Sequence, residues 1–130
     1  MKYGNLIIEK KEYEILKRVL SGSPKIADES YKLSMRKFQS EMVSAIKCLE
    51  SEMATDIVRF DSTVTIMDQN SKLLKYKIVT PEHGDIAKGM VSILAPMGHA
   101  LFGYSESDTV KWHFPTGIQT FTITKVEQNI

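Results

Sequence analysis

Near residue 56 the spacing of apolar side chains changes, and that change limits what the chain can fold into. Before it, Tyr31, Met35, Phe38, Met42, Ala45, Leu49 and Met53 recur in steps of four and three, with Ile46 alongside. Residues three and four apart share one side of a helix, so this is a single stripe. Lys32, Arg36, Lys37, Glu41, Lys47 and Glu50 fall mostly off it. The pattern predicts one helix over residues 29–53, about 37 Å long at the helical rise per residue. Asp28 is the expected N-cap, and Ser23 before Pro24 is a second candidate start. A shorter helix over residues 10–20, about 17 Å long, carries Tyr13, Leu16 and Leu20 at the same spacing. Ser21-Gly22-Ser23-Pro24 stops it.

Beyond residue 56 the period becomes two, the repeat of a half-buried strand. Val58, Phe60, Val64 and Ile66 alternate with Arg59, Asp61, Thr63 and Thr65. Asp68-Gln69-Asn70-Ser71 supplies turn chemistry, and Leu74, Tyr76 and Ile78 return. A polar connection over residues 81–89 leads to a third apolar segment, 90–94, which stops before Pro96. Residues 98–102 suit one turn of helix closed by Gly103. Val110, Trp112 and Phe114, then Phe121 and Ile123, flank the turn at Pro115-Thr116-Gly117. The expected fold is α+β. An antiparallel helical hairpin over residues 1–56 precedes an antiparallel sheet domain with one short helix over residues 57–130. Because the second helix outruns the first, Tyr31, Met35, Phe38 and Met42 should lie beyond its reach. An exposed stripe of this kind calls for cover, either from residues 21–27 or from a second copy of the chain.

Composition removes several classes of function. The 130 residues hold 17 Lys+Arg and 16 Asp+Glu, a net charge of +1 spread evenly over both halves. A large sequence-independent nucleic-acid binder needs a basic excess, so strong direct binding of that kind is not expected. One cysteine, Cys48, excludes an internal disulfide. Its place beside the long helix's stripe suggests an inert buried thiol. No leader pattern and no apolar run of membrane-spanning length are visible, so a cytoplasmic protein away from membranes is expected. His83, His99 and His113 lack metal-ligand spacing. Gly98 to Gly103 copies the opening of a phosphate loop but then reads Tyr104-Ser105, without the required lysine. Trp112 reads as sheet core. No catalytic residue, metal site or cofactor site follows from composition and spacing.

Residues 81–103 carry a more specific pattern. An acidic turn at Asp85 is followed by Gly89, then Val91-Ser92, Ala95-Pro96, and Ala100-Leu101-Phe102-Gly103, with Asp108 two residues before Val110. This resembles the C-terminal domain of bacterial Gre-type transcript cleavage factors. Asp61-Ser62-Thr63-Val64 resembles the start of that domain, with Asp61 where the family has glycine. The resemblance covers about residues 57–126 and implies an FKBP-like domain that docks at the rim of the RNA polymerase secondary channel. It would place Ser92, Leu94, Ala95, Pro96 and Met97 on the polymerase-facing surface. Tyr31 to Glu52 resembles the second helix of the Gre hairpin. In Gre factors two acids at the hairpin tip hold Mg²⁺ within the polymerase. Counted back from Tyr31, those positions are Pro24 and Ala27 here; the nearby acids are Asp28 and Glu29. The short first arm, with Leu6-Ile7-Ile8, Glu52-Met53 and Asp56-Ile57-Val58, is similar to Rnk, a Gre-related regulator with a stubby hairpin. The Gre/Rnk resemblance thus implies a polymerase-binding regulator of elongation that is not itself an enzyme and needs no cofactor. Two alternatives stay open: a cleavage factor using Asp28 and Glu29 to hold Mg²⁺, and a prolyl isomerase, which rests on fold shape alone.

Overall fold

The computed structural model describes residues 1–22 and 28–129. Strand β1 (Ile7–Glu9) runs directly into helix α1 (Lys10–Ser21), and helix α2 (Glu29–Val43) leads to strand β2 (Ile46–Cys48). β1 and β2 pair in parallel, Ile7 opposite Ile46, as a two-stranded sheet. A 3-10 turn (Glu50–Glu52) follows. Strands β3 (Thr63–Met67), β4 (Leu73–Val79), β5 (Met90–Ser92), β6 (Thr109–Phe114) and β7 (Gly117–Glu127) form a curled five-stranded sheet, order β5-β4-β3-β7-β6. All its neighbours are antiparallel except β4 and β5. The short helix α3 (Pro96–Leu101) follows β5. The architecture is therefore α+β, with helices at the N-terminus and a curled sheet carrying one short helix.

The long helix ends early. Instead of reaching Met53, α2 stops at Val43, and residues 46–48 are strand. The Ile46 N–H donates to the Leu6 carbonyl at 2.9 Å. Pairing with a strand 39 positions earlier in the chain thus takes the hydrogen bonds a longer helix would have used, a tertiary contact overriding a local pattern. Ala45, Leu49 and Met53 match the helical spacing by coincidence, and Leu49 is exposed. Cys48 is half-buried on β2 rather than enclosed in a helix.

The stripe on α2 meets the chain's own second half. Phe38 and Met42 are buried, and Tyr31 and Met35 are half-buried. α2 packs on α3 and β6, whereas α1 packs on β1 and β2. Cover therefore comes from the chain's own second half, and residues 23–27 lie outside the described residues. Leu6, Ile8, Leu16, Phe38 and Met42 share one core with Ile66, Phe102, Trp112 and Ile123. Residues before and after position 56 are thus packed around the same apolar centre.

Several turns have the predicted chemistry. Asp28 caps α2 by accepting from the Tyr31 N–H at 3.0 Å. Asp68 accepts from the N–H groups of Asn70 and Lys72, each at 2.9 Å, and so closes the β3–β4 turn. Gly89 and Gly103 sit at φ +71° and +82°, where a Cβ is disfavoured. Asp61 also has positive φ, 68°, a region that Asp enters more readily than most residues. That turn interrupts the alternation read from Val58 to Ile66, so the strand begins only at Thr63.

Arg59 joins this turn to α1. Its Nε donates to Glu12 Oε1 at 2.9 Å and its Nη1 to Glu50 Oε1 at 3.0 Å. Glu9 lies 3.9 Å from Nη2 and caps α1 by accepting from the Lys11 and Glu12 N–H groups. Burial raises the Glu12 carboxyl above its usual range, opposed by the Arg59 hydrogen bond. Arg59→Met would strand Glu9 and Glu12 without their counter-charge. It is expected to cost about 2 kcal/mol, less than a fully buried pair because Glu50 is exposed. Urea unfolding at pH 7 checks this; the loss should shrink at pH 4 as Glu12 protonates.

Candidate functional site

The residues that the resemblance marks run from the end of β5 into the start of α3. Pro96 opens α3 at a position where a missing N–H costs nothing. Ahead of it the chain turns tightly: the Leu94 N–H donates to Ser92 Oγ at 3.0 Å and the Ala95 N–H to the Ser92 carbonyl at 2.9 Å. The Ile93 N–H donates to the Val79 carbonyl at 2.9 Å, which anchors the buried Ile93 to β4. Ser92, Leu94, Ala95, Pro96 and Met97 are all half-buried, and Leu94 and Met97 pack partly against the core. Gly98 lets α3 approach this turn: a Cβ there would lie 2.5 Å from the Ser92 carbonyl oxygen and 2.9 Å from Ile93 Cα.

α2 braces the same turn. The Tyr31 hydroxyl donates to the Leu94 carbonyl at 2.7 Å. One turn further along, Ser34 Oγ lies 2.8 Å from His99 Nδ1 and accepts from Trp112 Nε1 at 2.7 Å. Since Trp112 can only donate, the Ser34 hydroxyl hydrogen is free for Nδ1, which puts the His99 proton on Nε2. His99 is fully buried with Nε2 unpartnered among the described residues. Its ring stacks on Phe38, centroids 5.1 Å apart. Burial pulls its pKa down to about 4, so it is neutral near pH 7. Lys37 Nζ donates to the Lys111 carbonyl at 2.7 Å and lies 4.6 Å from the Trp112 ring centroid. Glu41 accepts from the buried Tyr104 hydroxyl at 2.6 and 2.7 Å, and burial raises its carboxyl above the usual range.

Sequence reading missed this polar line. Ser34 stands three residues after Tyr31 and four before Phe38, on the stripe itself. A search for apolar periodicity passes over a serine, although its spacing was the available signal. Nothing local marked His99, Tyr104 or Trp112 as its partners, because they come from other elements.

Asp28 and Glu29 lie at the start of α2, within one turn of Tyr31. The Ser30 hydroxyl, then the Tyr31 N–H, lower the Asp28 carboxyl below its usual range. Glu29 lies 3.5 Å from Lys32 Nζ. Asp28 thus caps the helix start, and Glu29 pairs with Lys32 at the surface. Pro24 and Ala27 lie outside the described residues. Among the described residues no group of three or more His, Cys, Asp and Glu is arranged to hold a metal ion. No described helix is long and apolar enough to cross a membrane.

Residues 53–128, which contain the β5–α3 turn and most of its supports, match the family described as transcription elongation factor, GreA/GreB, C-terminal. The chain belongs to the GreA/GreB family. Transcription elongation factor GreA of Novosphingobium aromaticivorans is 35% identical over 75 residues, 58% of this chain and 48% of that protein. The GreA of Bradyrhizobium diazoefficiens is 36% identical over 78 residues, covering 59% and 50%. The chain thus spans about half the length of the curated relatives it matches. Its fold is shared with a GreA/GreB transcription elongation factor from Nitrosomonas europaea, with a TM-score of 0.74 at 23% identity over 95% of this chain and 98% of the other. A lower likeness, TM-score 0.50 at 17% identity, relates it to the GreA homologue Gfh1 of Thermus thermophilus over 95% and 99%.

Proposed function

We propose that this GreA/GreB-family chain regulates transcription elongation by docking on bacterial RNA polymerase, at the rim of the secondary channel, through residues 92–97. On this reading it does not stimulate transcript cleavage, and its docking needs no cofactor. Family membership and the names of its relatives support the elongation role. One observation supports the absence of cleavage: the Tyr31 hydroxyl lies 2.7 Å from the Leu94 carbonyl. That bond holds the start of α2 against the docking turn. Asp28 and Glu29 precede Tyr31 by only three and two residues, so the same bond limits how far they can stand from the turn, where a cleavage factor would carry its acids at the end of a projecting arm.

The test is co-purification of the chain with core RNA polymerase, coupled to cleavage of backtracked transcripts. Wild type should be retained, and Pro96→Asp should weaken retention at least tenfold by placing a charge in a half-buried contact. Cleavage should stay at the polymerase's own rate. Failure of wild type to bind would sink the docking role. Stimulated cleavage that disappears in Asp28→Ala/Glu29→Ala would instead make the chain a cleavage factor.

A further inference from the structure

A cleft of about 290 Å³ opens between the turn at Asp61, strand β4 and the first residue of β5. Its apolar lining is Val79, which is buried, with half-buried Phe60 and Met90. The Phe60 ring is held in place by Phe102, centroids 4.8 Å apart. Charges of both signs also line the cleft: Asp61 is exposed and Lys77 half-buried. Opposite charges gain by pairing. Yet among the described residues neither the Asp61 carboxylate nor the Lys77 ammonium has a hydrogen-bond or ion-pair partner, and they do not meet each other. Asp61 is nevertheless fixed by its backbone. Its N–H donates to the Ile78 carbonyl and its carbonyl accepts from Asn129 Nδ2, both at 2.7 Å. It sits at φ 68°, a conformation that costs any residue with a Cβ and that often marks a site built for contact. His83 is the remaining titratable group of the cleft. The Thr80 hydroxyl donates to Glu82 Oε1 at 2.8 Å and lies 3.2 Å from His83 Nδ1. With its hydrogen on Glu82, Thr80 Oγ1 accepts from Nδ1–H, which leaves Nε2 of the neutral ring as an acceptor.

We propose that this cleft binds a free α-amino acid with an apolar side chain. The ligand's ammonium group would meet the Asp61 carboxylate, and its carboxylate the Lys77 ammonium. Its side chain would lie over Phe60, Val79 and Met90, and His83 Nε2 would accept a further ammonium hydrogen. A zwitterion satisfies both unpaired charges at once, whereas a simple anion would face Asp61 and a simple cation would face Lys77. Size narrows the class further. The volume stands at the lower end of small-molecule sites, which suits a single amino acid rather than a peptide. The cleft shares no residue with positions 92–97, and its test does not involve polymerase.

The experiment titrates L-leucine into the full ¹⁵N-labelled chain and follows amide shifts. Saturable shifts at Asp61, Lys77, Thr80 and Met90 are expected, with a dissociation constant of about 1 mM for so small a ligand. Two analogues each lack one charge: 4-methylpentanoate has no ammonium group and 3-methylbutylamine no carboxylate. Each should bind about fivefold more weakly than L-leucine, near the upper worth of an exposed ion pair. Asp61→Gly keeps the backbone conformation without its strain. It should leave the melting temperature unchanged or higher while weakening L-leucine about fivefold, a loss that unfolding cannot explain. Lys77→Met should weaken L-leucine by a similar factor and leave 3-methylbutylamine no weaker. Absence of saturable shifts at these amides would overturn the site. Either analogue binding as tightly as L-leucine would overturn the assignment to a zwitterion, and equal binding of free glycine would overturn the choice of an apolar side chain.

Discussion

Gly98→Ala should destabilise the protein by about 2–3 kcal/mol, the cost of forcing backbone apart in a packed interior, and should displace the turn at residues 92–97. Helix propensity alone argues the opposite, since alanine in a helix is favoured over glycine by about 1 kcal/mol. The contact distances decide the sign. A Cβ at Gly98 would meet the Ser92 carbonyl oxygen at 2.5 Å and Ile93 Cα at 2.9 Å, both backbone atoms that cannot rotate away. Ile93 is itself tied to Val79, so the strain must move α3 outward. That outward shift would pull His99 from Ser34 and lengthen the Tyr31–Leu94 bond. Gly22→Ala is the control: its Cβ would find nothing closer than 3.8 Å, and little change is expected. Urea unfolding measures the stability, and hydrogen exchange at Leu94 and Ala95 reports on the turn. Equal stability of Gly98→Ala and wild type would refute the close-approach argument.

The second large effect is acid sensitivity centred on His99. Its folded pKa of about 4 lies below the ordinary 6.5, so the unfolded chain binds more protons between those values. Stability from this group is therefore complete above pH 6.5 and is lost as pH falls toward 4. The loss over that window is on the order of 3 kcal/mol. The ring has no room to accept the charge. Phe38 and Tyr31 flank it, Ser34 occupies Nδ1, and among the described residues no carboxylate is bonded to Nε2. Stability measured from pH 7 to pH 4 should fall more steeply in wild type than in His99→Leu, which cannot titrate there. Amides of α2 should lose exchange protection first, because His99 lies where α2 meets α3. Parallel slopes for the two proteins, or a ring titrating near 6.5 by NMR, would remove His99 as the cause.

Both effects come from contacts between distant parts of the chain, which explains how unevenly they could be read. In the sequence Gly98 reads as the start of a helical turn and as part of a false phosphate-loop match. Its real constraint is the approach of the Ser92 backbone, and no sequence spacing encodes that. His99 offered no motif, and its behaviour depends on Ser34 and Trp112, 65 and 13 residues away. By contrast, the Asp28 cap, the Asp68 turn and the positive φ of Gly89 and Gly103 are local, so their residue types announce them.

The family pattern over residues 81–103 was likewise legible, because it rests on residue types fixed by turns and close packing. The helical stripe shows the boundary. Its spacing correctly gave α2 an apolar face at Tyr31, Met35, Phe38 and Met42, but it could not say what that face would meet. A face left over by a short neighbour could have paired with a second copy of the chain. In the structure α2 packs against α3 and β6.

Sequence alone thus determined the two textures, the turns and the membership that residues 53–128 announce. Tertiary structure decided where α2 ends, what it covers, and that Tyr31 at its start is bonded to the turn at residues 92–97. The physical reason is range. Period, caps and turn chemistry act over a few residues, whereas the Ile7–Ile46 pairing and the Tyr31–Leu94 bond join groups 39 and 63 positions apart.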